Sequence, residues 1–152
     1  MVKKLSTLLY DLTEEYQIIG ISSPLKDYKI CWLINNTHTI QLTRYKDFNL
    51  ILKNKKKEGF SYFSYIDSSS GTNYFLLSNK QEKKVLLEEI SIDYLFIVKN
   101  ASRLFDKKQL ISSIKKIKNI QTVIPVDLKK IKEINTFLTE LEYHQDETIK
   151  QA

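Results

Sequence analysis

Glu88, Asp93 and Tyr94 bring two carboxylates and a phenol into one short stretch, Glu88-Glu89-Ile90-Ser91-Ile92-Asp93-Tyr94, which runs into the apolar segment Leu95-Phe96-Ile97-Val98. Side chains of this kind do acid–base work when burial or a neighbouring charge shifts their pKa values toward neutrality. Strand alternation puts Ile90, Ile92, Tyr94, Phe96 and Val98 on one face and Ser91, Asp93, Leu95 and Ile97 on the other. Asp93 thus opens a face that turns wholly apolar, where an unpaired charge is costly. Two readings follow. In the structural one Asp93 accepts backbone N–H groups near Ser22 and Ser23, or pairs with Arg44. In the catalytic one Asp93, Tyr94 and Glu88 share an accessible cleft. The structural reading is preferred, because acids entering a strand, such as Glu88 and Glu89, are ordinarily solvated loop residues.

Other reactive constellations are thin. Cys31 has His38 seven positions later, nearly two helical turns away, with no oxyanion-hole signal beside it. Next to Trp32 it reads as a small buried residue. His38 and His144 are far apart, and there is no H-x-x-x-H, C-x-x-C or aspartate cluster, so no metal and no cofactor are expected. Ser68-Ser69-Ser70-Gly71 lacks the lysine and following hydroxyl of a phosphate cradle, and reads as a hairpin loop.

The charge pattern carries more information. The net charge is +6, and all but Arg44 and Arg103 of the 24 basic residues are lysine. Lysine gives point charge to phosphates and carboxylates, whereas base readout leans on the planar fork of arginine. Lys107, Lys108, Lys115, Lys116, Lys118, Lys129, Lys130 and Lys132 share their segment with one acid, Asp127. A second pattern sets Phe60, Tyr62, Phe63, Tyr65, Tyr74 and Phe75 near Lys53 and residues 55–57. Stacking rings beside positive charge are what single-stranded nucleic-acid platforms use, although core and cross-strand ladders use aromatics too.

The elements that must position these residues follow from periodicity. Residues 15–21 read as a strand, and Leu5, Leu8, Leu9 and Leu12 before it suit either a helical turn or a strand. Ser22-Ser23-Pro24 is a helix start, with a serine N-cap and proline in the first turn, for a helix over residues 25–36. Residues 39–44 alternate as a strand, and the pattern resumes at Phe48, Leu50 and Leu52 after a break at Lys46-Asp47. A lysine-rich turn over 53–59 leads to two aromatic strands, 60–66 and 73–78, which form a hairpin. Residues 91–98 are the central strand. Asp106 and Gln109 give a capping box for a helix carrying Leu110, Ile114 and Ile117. Thr122-Val123-Ile124 is a short strand, and Asp127 caps a last helix with Leu128, Ile131, Ile134, Leu138 and Leu141.

This order predicts an α+β, two-layer fold: a mostly antiparallel sheet of six or seven strands with three helices packed on it. The closing strand–helix–strand predicts one right-handed crossover and one parallel strand pair. Residues 1–142 form a single domain, long enough to bury about two thirds of its unfolded surface, and 143–152 form a polar tail that frays. The single cysteine excludes an internal disulfide and points to the cytoplasm. Asp11 and Glu14 cut the first apolar run too early for a signal peptide, and no run approaches a membrane span.

Residues 86–94 also resemble the motif I-P-E-x-x-x-V-D-Y, after which a family of small bacterial proteins of unknown function is named. Glu88, Asp93 and Tyr94 match; Leu86, Leu87 and Ile92 stand where that motif has isoleucine, proline and valine. Residues 17–23 are similar to a strand ending in G-I-S, residues 27–35 to a helix D-Y-x-x-C-W-x-x-N, and residues 76–80 to the segment before the motif. The resemblance covers roughly residues 14–140 and implies no catalytic residues. The expectation is a non-enzymatic binding or adaptor protein whose basic helical surface meets an acidic partner, either RNA or the ribosome, or an acidic protein such as an acyl carrier protein. A small enzyme around Asp93, Tyr94 and Glu88, and a structural subunit of a larger assembly, are the alternatives.

Overall fold

The computed structural model describes residues 11–51 and 56–151. The expectations for Leu5, Leu8 and Leu9, and for Leu52 and residues 53–55, lie outside the described residues. A 3-10 turn, Leu12–Glu15, leads into β1 (Tyr16–Ser22), α1 (Asp27–Thr37), β2 (Thr43–Ile51), β3 (Lys57–Asp67) and β4 (Thr72–Ser78). A two-residue hairpin, β5 (Lys80–Gln81) and β6 (Lys84–Val85), precedes β7 (Tyr94–Lys99), α2 (Lys107–Lys115), β8 (Thr122–Pro125), a 3-10 turn Leu128–Lys130 and α3 (Ile134–Gln151). Six strands form one sheet in the order β2-β3-β4-β7-β1-β8, and every neighbouring pair is antiparallel. The fold is α+β with β7 in the sheet interior, as its apolar run implies.

Helices cover both faces of the sheet, so two layers become three. Ile19, Ile21, Phe63, Leu76, Phe96 and Val98 bury against Ile30, Cys31 and Ile34 of α1 and Ile114 of α2. Ile18, Phe48, Tyr62, Phe75, Leu95 and Ile97 bury against Phe137, Leu138 and Leu141 of α3 and the apolar residues of segment 86–92. A strand that is apolar on both faces, such as β7, needs cover on both.

Several boundaries differ from the sequence pattern for local reasons. α1 starts at Asp27, after an N-cap Lys26 with no side-chain cap, while Ser23 is occupied elsewhere. Of the first alternating stretch only Thr43 and Arg44 are strand: they begin β2, which runs on through the second stretch with a register shift between Tyr45 and Phe48, while residues 39–42 precede it without regular structure and bury Ile40 and Leu42. Asp67 accepts from the Ser69 N–H, and Gly71 takes a left-handed φ of 78°, which closes the hairpin loop. Asp127 caps only the 3-10 turn: Glu133 adopts a left-handed φ of 59°, and the last helix begins at Ile134. That helix continues to Gln151, so the expected frayed tail is helical. Gln145 is buried and donates to Asn73 Oδ1 at 2.7 Å, and the His144 ring sits edge-on to Tyr62 with centroids 4.5 Å apart. The crossover through α2 brings β8 alongside β1, not β7, so the sheet has no parallel pair.

Candidate functional surface

Asp93 and Tyr94 turn toward the loop that enters α1. Asp93 Oδ2 accepts the Ser23 N–H at 2.9 Å, and the Tyr94 hydroxyl donates to the Leu25 carbonyl. Ser23 completes the tie: its hydroxyl donates to the Asn119 carbonyl at 2.7 Å. Burial, with Asp27 and Asp93 nearby, pushes the Tyr94 hydroxyl up to about 12, so it stays protonated and serves as a donor. Arg44, the other partner considered for Asp93, instead pairs with Asp27 and Asp47 at the surface.

Glu88 lies elsewhere. It is exposed, and with Glu89, Lys132 and Glu133 it borders a small cleft against α3. The neighbouring Glu89 accepts the Lys132 N–H at 3.0 Å. Glu88 therefore does not join Asp93 and Tyr94 in one cleft, and the three do not make an active site. Alternation also breaks at this point. β7 starts at Tyr94, so Ile92 leaves the Tyr94 face and packs with the α3 core, its Cδ1 lying over Gly20.

The residue that holds this segment is Asn79, which no motif reading singled out. It is fully buried at the end of β4. Its amide donates to the carbonyls of Leu87, Ile90 and Ile92, and its Oδ1 accepts the Leu87 N–H at 2.7 Å. One side chain thus saturates the backbone of a segment without regular structure, which buried polar groups require. Asn35 does the same for the loop after α1, bonding both the N–H and the carbonyl of Leu42. An asparagine at a strand end reads as a turn residue, and its partners here lie 8 to 13 positions further on.

Cys31 is buried against the Leu42 carbonyl, and its thiol is pushed up to about 11, mainly by burial. His38 bonds the Ile34 carbonyl and Ser113, not Cys31, so the pair forms no nucleophilic site. Among the described residues no group of three or more His, Cys, Asp or Glu could hold a metal ion, and no helix is long and apolar enough to cross a membrane.

The aromatic strands are interior. Phe60, Tyr62, Phe63 and Phe75 are buried, and Tyr65 and Tyr74 are half-buried, so the strands offer no extended open platform along which successive bases could stack. Among the described residues the exposed large aromatics are Tyr28 and Trp32 on α1 and Tyr143 on α3, and none of these lies on an edge strand.

All eight lysines of the 107–132 segment are exposed, but they do not share one helix face. Lys107 and Lys108 open α2, Lys115 and Lys116 close it, and Lys118 lies in the turn to β8. Lys129 and Lys130 are in the 3-10 turn beyond β8, and Lys132 is in the link to α3. Among the described residues none of the eight ammonium groups forms an ion pair. β8 is a short edge strand containing Pro125, and lysines flanking such an edge discourage a second chain from pairing with it. That accounts for Lys118, Lys129 and Lys130. Lys115 and Lys116 complement the negative end of the α2 dipole, whereas Lys107 and Lys108 sit at its positive end, where each costs about 0.3–1 kcal/mol. Fold stability gives no reason for those two. Comparison with protein-family models, with curated proteins and with solved structures finds no match.

Proposed function

We propose that this chain is a cytoplasmic, non-enzymatic binding or adaptor protein, a member of the I-P-E-x-x-x-V-D-Y family, that holds an acidic protein through the lysines on and beside α2. The observation that carries this reading is Lys107-Lys108: two exposed ammonium groups without ion pairs among the described residues, seated against the dipole of their own helix. Of the two acidic partner classes, a protein is favoured over RNA. Of the aromatic side chains that would stack successive bases, Phe60, Tyr62, Phe63 and Phe75 are core residues, and lysine gives charge without base readout. The single buried cysteine supports a reducing compartment.

Affinity purification from the native cell, with and without nuclease, tests the proposal. A discrete complex that survives nuclease is expected. Recovery that depends on intact RNA, with affinity falling steeply as salt rises, would replace the protein partner with nucleic acid.

A further inference from the structure

A cavity of about 570 Å3 opens where α1 ends and α2 begins, above the sheet, a size within the range that holds small ligands. One side is the end of α1 and the residues after it, 37–40; the other is Gln109, Leu110 and Ser113 of α2, with the loop 102–106 at the rim. Neither the motif, the lysines nor the proposed partner accounts for it.

Its lining has two characters. The floor is aromatic: Tyr74 lies in a ladder of near-parallel rings with Tyr65 and Phe96, each neighbouring centroid 6.1 Å away, and Phe105 adds a further ring. Flat rings pack against such a floor offset or edge-on. The side wall is polar. His38 Nε2 and Ser113 Oγ lie 2.6 Å apart and join the two helices, and the Ser113 hydroxyl also lies 3.0 Å from the Leu110 carbonyl. In either histidine tautomer Ser113 Oγ keeps a lone pair for a donor in the cavity. The Gln109 side-chain amide offers both a donor and an acceptor there. Burial lowers the His38 pKa, so the ring is neutral at pH 7. Asp106 is the only charged residue in the lining, and its carboxylate caps α2 through the Gln109 N–H; Lys107 and Lys108 do not line the cavity.

We propose that this cavity is a binding site for an uncharged, flat aromatic molecule carrying hydrogen-bonding groups on one edge, of the size of a nucleobase or an aromatic amide. The aromatic floor takes the ring, the Ser113 and Gln109 side chains take the polar edge, and Asp106 selects against anions.

Titrations of the 15N-labelled protein with benzamide, adenosine and benzoate, followed by amide chemical shifts, test this. Benzamide and benzoate share a shape and differ in charge. Saturable shifts at residues 37–40 and 104–113 are expected with benzamide and adenosine, with benzoate at least about tenfold weaker. Ser113→Ala should weaken benzamide roughly three- to tenfold, the loss of one hydrogen bond. Tyr74→Leu should abolish saturation, with a thermal melt confirming that each variant is folded. Failure of both neutral probes to saturate at these residues would overturn the proposal. So would benzoate binding as tightly as benzamide, or unchanged benzamide affinity in the folded variants.

Discussion

At the scale of single residues, the chain is held by polar side chains that bond backbone at a distance. Asn79 is the clearest case, because its amide meets three carbonyls and one N–H of the segment that carries the motif. Asn79→Ala should destabilise the protein by about 3 kcal/mol in chemical denaturation, since the buried backbone groups lose their partner. Asn79→Asp should cost at least as much, because a carboxylate accepts but cannot donate. Asp93→Asn keeps an acceptor for the Ser23 N–H and should cost about 1 kcal/mol, the difference between a charged and a neutral acceptor. A Cβ at Gly20 would overlap Ile92 Cδ1, so the buried Ile92 side chain would have to shift to admit it. Gly20→Ala should therefore cost about 1–3 kcal/mol, and Ile92→Val, which removes that methyl group, should recover part of it in a double-mutant cycle. The sequence shows the type of each of these residues but not its partner. Asp93 and Tyr94 are visible as a motif, and Ser23 was one of two partners open to Asp93. Asn79 is silent, because nothing local marks an asparagine whose bonds close across a loop.

At the scale of elements, periodicity recovers α2 and the hairpin of β3 and β4 well. It fails where one residue changes the backbone. Leu128, Ile131, Ile134, Leu138 and Leu141 keep helical spacing through a left-handed Glu133 that divides them. The polar composition of residues 143–151 hides a helical turn that docks Gln145 and His144 on the sheet. His144 and His38 each join a helix to its neighbour, and burial lowers both pKa values from 6.5. The unfolded chain therefore binds protons that the folded chain refuses, and stability falls as pH drops below about 6.5 toward the folded-state pKa values. Unfolding midpoints measured from pH 7.5 to 5 should fall, and the fall should flatten in His38→Gln with His144→Gln. A midpoint independent of pH over this window would show that neither ring is held neutral by its surroundings.

At the scale of the whole molecule, the layer count was the main departure from expectation. The signal was present: both faces of β7 are apolar, which already requires cover on each side, but the order of elements alone favoured two layers. Three layers change the functional argument. With α1 and α2 outside one face and α3 outside the other, Phe60, Tyr62, Phe63 and Phe75 of β3 and β4 become core, and what the molecule shows to partners is largely helix and edge. The lysines are then divided by location into edge protection around β8, dipole complement at the end of α2, and the unexplained pair at its start. The double variant Lys107→Glu with Lys108→Glu separates binding from folding most directly. It should stabilise the fold by up to about 0.6–2 kcal/mol per residue, because each reversal removes one unfavourable helix–dipole interaction and adds a favourable one. The same variant, captured beside the wild type from nuclease-treated native cells, should lose the acidic protein that the wild type retains. An identical set of captured proteins from both, with both folded, would contradict the claim that this surface holds the partner.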